Sequence, residues 1–520
     1  MPMENAPVAF CHDIRDFGAV GDGVTLNTQA IQAAIDRCTA AGGGTVVVPA
    51  GRFLSGTLRL KDHVVLHVSG GGVLLGSTRA ADYATGTHKN MYKNEPHMDR
   101  CLIFAQGATR IGLEGHGAID GQGKCLPQAG DPQKNRPMLI RLVDCNTIRM
   151  RDLTLSNPAA WTSAWLYCSD IVVDGIRIHS RANGNGDGLD FDGCRDVRVS
   201  HATFDTSDDS ICLQTSRPDR PCRNVTITNC VFRSQWAGIR IGLLSRGDFE
   251  NVTVSNCVFT DIQDSGLKIQ MCEGAVMRNM TFSNLVMHNV PRPIFMTFCQ
   301  QRACVDAPRE LAPMKAMRGF LFSDIMVDSG DCGKDSAIVI TGLPGHPIED
   351  VSLRGIRLVT GGGGSAADGA ASSLPEFDPT TLRDWWPEYY LFNRPVPCHG
   401  MYARHVRGLS ISDVAIRPAH PDDRPALVMD DVSELSIAGL QMAGTGAGES
   451  LLRLHNARNA FITGCILPNG EQPFVRIDGG DSANIRISNT ASAGVRELVS
   501  FGQDVDRTTI LVAHFLTPPA

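Results

Sequence analysis

Asp187, Asp208 and Asp209 are the residues of this chain whose type and spacing point most directly at chemistry. Asp187 precedes Gly188-Leu189-Asp190-Phe191-Asp192, and Asp209 precedes Ser210-Ile211-Cys212-Leu213-Gln214, two segments of one pattern whose starts are 22 residues apart. The pattern returns after Ala237 as Gly238-Ile239-Arg240-Ile241-Gly242 and after Ser265 as Gly266-Leu267-Lys268-Ile269-Gln270, each 28 residues on. As equivalent strands of stacked coils about 4.8 Å apart, the first two segments bring Asp187 to Asp209, and Asp208 joins from the adjoining position. Three carboxyls that close cannot all ionise, so at least one holds a proton near neutrality. A protonated acid beside an ionised base is the combination that hydrolysis of a glycosidic bond requires.

The elements that must position these groups form a repeat. Alternation puts Leu189, Ile211, Ile239, Leu267, Phe191, Leu213, Ile241 and Ile269 on one face of the four segments. Asp190, Asp192, Gln214, Arg240, Lys268 and Gln270 fall on the other. The first face reads as core and the second as a polar wall, on which Arg240, Lys268, Gln270, Gln214 and Asp190 are candidates for substrate binding. Trp236 beside it offers an apolar platform for a sugar ring. A second motif, an alternation opened by Asn or Asp, recurs at Asn146, Asp170, Asp196, Asn224, Asn251 and Asn279, at intervals of 24, 26, 28, 27 and 28. It resumes near Asp350, Gly408, Glu434, Asn459 and Asn484. Periods of this size without helical periodicity predict an all-β fold, a right-handed parallel β-helix running as a single domain over 1–520. The Asn and Asp openers read as turn formers, and Cys168, Cys194, Cys230 and Cys257 as small apolar fillers.

Residues 14–60 read as an N-terminal cap and first coils, with an amphipathic helix from Asn27 to Ala41 closing the end of the core. Interruptions of the period at 299–317 and 361–404 read as long loops over the cleft. Trp385, Trp386, Tyr389 and Tyr390 make the second an aromatic lid. A net charge of -7 argues against nucleic acid as a partner. No apolar run suggests a membrane span, and no basic-then-apolar leader is evident, so a cytoplasmic location is expected, with a periplasmic one as the alternative. Seventeen Cys, an odd number, fit free thiols. The absence of a CxxC pair, a close His cluster or a phosphate loop predicts no metal and no cofactor.

Several stretches resemble a known family. Asp16-Phe17-Gly18-Ala19-Val20-Gly21-Asp22-Gly23 is similar to the opening of many pectin-lyase-like β-helix enzymes, while Ile119-Asp120-Gly121-Gln122-Gly123 and Asn157-Pro158-Ala159-Ala160-Trp161-Thr162 resemble glycoside hydrolase family 28. Asn185-Gly186-Asp187-Gly188 resembles that family's Asn-Thr-Asp motif, and Ser207-Asp208-Asp209 its paired-aspartate motif. The resemblance implies that Asp208 is the general acid, that Asp187 and Asp209 hold and activate water, and that the anomeric centre inverts. The implied substrate is an acidic or pectin-derived oligosaccharide, galacturonan or rhamnogalacturonan-like, cleaved in exo fashion. The chain departs from family 28 polygalacturonases where they carry Gly-His-Gly and Arg-Ile-Lys, having Trp236-Ala237-Gly238 and Lys268-Ile269-Gln270. Arg240 and Lys268 either bind a substrate carboxylate one coil displaced or neutralise the acids around them. Two other functions fit the same wall: a β-eliminating lyase or epimerase, and a non-catalytic carbohydrate-binding β-helix.

Overall fold

The computed structural model describes residues 11–516 apart from 96–97, 132–134, 300–301, 307–312, 371–373, 375–387, 389–394, 444–447, 468–471 and 492–497. The chain divides into two compact units, residues 1–236 with 303–306, and residues 237–302 with 307–520. Both are built almost wholly of short strands, each pairing in parallel with its counterpart one coil on. The architecture is a parallel β-helix, right-handed as parallel strand crossovers are. Among the described residues no helix is long and apolar enough to cross a membrane.

In the first unit the predicted cap is present as a helix over Thr28–Ala40, which buries Ile31, Ala34, Ile35 and Cys38. Asn27 is its N-cap: the Asn27 carbonyl accepts from Ile31 N at 2.9 Å, while its side-chain amide accepts from Val20 N at 2.7 Å and donates to Thr25 O at 2.7 Å. The coils that matter for function follow in register, with Ser163 opposite Leu189 and Ile211, and Trp165 opposite Phe191 and Leu213. All six side chains point inward and are buried. The alternate row, Ala164, Asp190 and Cys212, lies outward. It too is buried, with Ala164 and Asp190 facing a small cavity that Lys89, Asn90 and Met91 also line.

The second unit repeats the plan, with Ile239, Leu267 and Ile294 stacked in the core and Arg240, Lys268 and Phe295 in the outward row. Its Asn residues perform the turn role expected of them. Asn251 and Asn279 sit at φ 57° and 58°, the left-handed region that Asn tolerates better than most residues. Asn279 Nδ2 donates to Asn251 Oδ1 at 3.2 Å, Asn284 to Asn256 at 2.7 Å, and Asn289 to Asp261 at 3.0 Å, a ladder of side chains along the coil corners. Cys168, Cys194, Cys230 and Cys257 are buried, as predicted.

The interruptions are somewhat shorter than the sequence suggested. The strand Ala316–Asp328 begins before Met317, and the strand Ile348–Gly362 continues past Gly361. The glycine run had read as loop, yet Gly362 still pairs with His420, since the ladder uses only backbone. Trp385, Trp386, Tyr389 and Tyr390, the predicted lid aromatics, lie outside the described residues.

Candidate active site

The first unit gathers the three aspartates. Oxygen atoms of Asp187, Asp208 and Asp209 lie within 4.8 Å of one another. Asp187 and Asp209 are 6% and 1% exposed, and Asp208 is half-buried at the rim. Close approach of backbones makes this possible. A Cβ on Gly188 would stand 2.2 Å from Ser210 O, and one on Gly186 would stand 2.3 Å from Ser180 O, so no side chain fits on either flank of Asp187. Gly188 N then donates to Asp209 O at 3.0 Å, stitching the two coils. Asp208 is pinned from several sides: its Oδ1 accepts from Asp209 N at 2.9 Å, and its carbonyl accepts from Thr206 Oγ1 and Ser234 Oγ, each at 2.6 Å. Ser234 Oγ also accepts from Trp236 N at 2.8 Å, which ties the half-buried Trp236 to the acid rim.

Burial, followed by the charges of Asp208, Asp190, Asp209 and Glu95, raises the Asp187 pKa well above the carboxylate range. That shift favours a cluster that keeps a proton at neutral pH, with Asp187 as the group burial and neighbouring charge most favour to hold it. Cys212 Sγ lies 3.7 Å from both Asp187 Oδ2 and Asp209 Oδ2, while Asp187 Oδ1 is buried without a hydrogen-bond partner. Gln214 Nε2 donates to Asp190 Oδ1 at 3.4 Å, which places two substrate-binding candidates in contact with each other. Asp187, Asp190 and Cys212 form a second group with donor atoms inside 4.8 Å.

A testable consequence concerns stability. For an acid whose folded pKa is raised, stability is fully present below the unfolded pKa, near 3.8, and is lost as pH rises toward the folded value. Asp187→Asn removes that loss. The variant's melting temperature should match that of the parent near pH 4 and exceed it increasingly toward neutrality, measured by circular dichroism across pH. A difference that stays constant with pH would contradict the raised pKa.

Two of the matched sequence stretches prove to be packing motifs. Asn157 Nδ2 donates to Asp120 Oδ1 at 3.2 Å, and a Cβ on Gly123 would lie 2.1 Å from Pro158 O. The Asp-Gly-Gln-Gly and Asn-Pro segments are thus two coil corners locked together. Sequence reasoning missed Glu95 and Arg136, which come from irregular segments with no period to align them. Arg136 forms an ion pair with Glu95 at 3.3 Å, and both are buried.

The second unit brings Arg240, Lys268 and Gln270 together. Lys268 is 0% exposed, its Nζ 2.7 Å from Asp264 and 3.2 Å from Glu388. Gln270 Nε2 donates to Glu388 Oε2 at 2.8 Å, and its Oε1 accepts from Arg240 at 2.7 Å. Arg240 also lies 3.7 Å from Glu388. Burial would raise the Glu388 pKa, but Lys268 and Arg240 outweigh it and hold this carboxyl below its usual range. No sequence signal marked Glu388, which lies 120 residues from Lys268.

Comparison with known proteins agrees with this frame. The profile of glycosyl hydrolases family 28 matches residues 38–373, more than half of the chain. The chain belongs to glycosyl hydrolases family 28. An exo-poly-alpha-D-galacturonosidase of Dickeya chrysanthemi is 28% identical over 392 residues, 64% of each protein. A probable polygalacturonase of Vitis vinifera is 32% identical over 222 residues, 38% of this chain and 43% of the relative. The chain thus spans less than two thirds of the length of these family 28 relatives. The solved structure of the Yersinia enterocolitica family 28 exopolygalacturonase aligns with a TM-score of 0.58 at 22% identity, covering 81% of this chain and 78% of that one, and shows the shared fold.

Proposed function

We propose that this family 28 chain hydrolyses glycosidic bonds of galacturonate-containing, pectin-derived oligosaccharides from a chain end. One observation carries the reading: three aspartate carboxyls with oxygens inside 4.8 Å, holding at least one proton at neutral pH. Asp208, the most exposed of the three, is the acid that protonates the leaving oxygen. Asp187 and Asp209 hold the water. Oxygens inside 4.8 Å let a proton held at Asp187 pass to Asp208 once a glycosidic oxygen approaches. The oxygen spacing is shorter than the roughly 6.5–9.5 Å of a two-carboxylate inverting pair. Inversion here therefore uses a water held against two carboxylates, not one lodged between an acid and a base.

In the first unit, Gln214, Asp190 and Trp236 are the residues assigned to substrate contact. In the second, Arg240, Lys268 and Gln270 are the candidates for a substrate carboxylate, and in the structure Glu388 occupies that role. A panel of pectic oligosaccharides tests the function. New reducing ends, shortening from one terminus and a first-formed sugar of inverted anomeric configuration by proton NMR are expected. Absorbance of an unsaturated uronate would make the chain a lyase, and binding without any product would make it a carbohydrate-binding module.

A further inference from the structure

A carboxylate and a guanidinium that no motif marks stand behind the acid cluster of the first unit. Arg136 Nη1 donates to Gly184 O at 2.9 Å, and Nη2 donates to Asn185 Oδ1 at 3.0 Å and pairs with Glu95 Oε1 at 3.3 Å. Arginine has only donors, so the Asn185 oxygen must face it. The Asn185 amide nitrogen is then turned the other way, and it lies 3.5 Å from Asp208 Oδ2. A three-membered chain, Glu95 to Arg136 to Asn185, thus ends on the carboxyl assigned as the acid. Glu95 is one of the charges acting on Asp187, and its Oε2 is buried without a partner.

We propose that Glu95 and Arg136 are positioning residues of this centre: their bridge orients Asn185 toward Asp208 and sets the electrostatic field at Asp187. The proposal rests on reading the cluster as the hydrolytic centre. The forked Arg136 fixes the Gly184 carbonyl and the Asn185 side chain, two neighbouring residues shortly ahead of Asp187. Glu95 is held beside it by that ion pair, and burial, opposed by Arg136, pushes its carboxyl up to about 7. Among the described residues, the charged groups acting on Glu95 are Arg136 and Asp187. Around Asp187 they are Asp208, Asp190, Asp209 and Glu95, with the Cys212 thiol in contact. Glu95 thus gains its charge as pH rises through neutrality, and that charge opposes loss of the cluster's proton.

Glu95→Gln keeps an oxygen for Arg136 and removes the charge. The alkaline limb of the kcat/KM profile should move to lower pH by roughly half a unit, with turnover at the optimum kept within a few-fold. Arg136→Gln frees Asn185 and should lower kcat about tenfold with KM little changed, the size of a modest loss in acid–base catalysis; Arg136→Lys should recover part of it. An unmoved pH profile in Glu95→Gln overturns the proposal. A second readout needs no activity. The melting temperature of Glu95→Gln, followed from pH 5 to 8, should gain on the parent as pH rises, and that gain should shrink when Asp187→Asn is already present. Strictly additive effects would overturn the coupling of Glu95 to Asp187. A parent protein that cleaves none of the pectic oligosaccharides would defeat the hydrolytic reading alone, leaving the stability cycle to judge this one.

Discussion

Asp208→Asn is expected to lower turnover about 10²–10⁴-fold, the usual contribution of a positioned general acid, while oligosaccharide binding stays near that of the parent and the melting temperature does not fall. The reason lies in how the residue is held. Its carbonyl oxygen, not its side chain, accepts from Thr206 Oγ1 and Ser234 Oγ, and its Oδ1 accepts a backbone N–H that an amide oxygen can accept equally well. Substitution by Asn therefore removes the titrating oxygen and keeps the Oδ1 and carbonyl contacts, losing the long 3.5 Å contact from the Asn185 amide. Steady-state kinetics beside calorimetric titration with a substrate oligosaccharide separates the two effects. Unchanged turnover would remove Asp208 from the acid's role, and loss of binding together with stability would make it a structural residue.

The second large effect concerns the second unit. Asp264→Ala is expected to cost about 3–5 kcal/mol of stability at pH 7, the range found when one partner of a buried ion pair is removed. Asp264 accepts from Ser265 Oγ at 3.0 Å and pairs with Lys268 at 2.7 Å and with Arg292 at 2.8 Å. Burial alone would raise its pKa, but Lys268 and Arg292 outweigh that cost and hold the carboxyl well below the usual range. A depressed folded pKa means that this stability is present above the unfolded value near 3.8 and is lost as pH falls below it. Denaturant unfolding at pH 7 and at pH 3 should thus show a large gap between parent and variant that narrows in acid. An equal midpoint at pH 7 would show that Glu388 alone satisfies Lys268.

How much of this was legible from residues alone differs by element. The coil registers came from period and alternation, because a β-helix repeats one local rule, and a face of alternating Leu, Ile and Phe can only turn inward. The pairing of Asp190 with Cys212 and of Arg240 with Lys268 follows from aligning the segments end to end. The positive φ of Asn224, Asn251 and Asn279 likewise follows from residue type. The loops resisted such reading, since Glu95, Arg136 and Glu388 sit in irregular stretches where nothing in the order of residues says what they touch.

The sequence alone thus determined the solenoid, its inward and outward rows, and the meeting of Asp187, Asp208 and Asp209, each a consequence of short-range periodicity. Tertiary structure decided the states of those groups: that Asp187 is buried enough to keep the proton, that Arg136 turns Asn185 toward Asp208, and that Glu388 and Asp264 neutralise Lys268. A pKa and an ion pair depend on desolvation and on charges brought near by the covering segments. Those contacts join residues far apart in the chain, and no repeat encodes them.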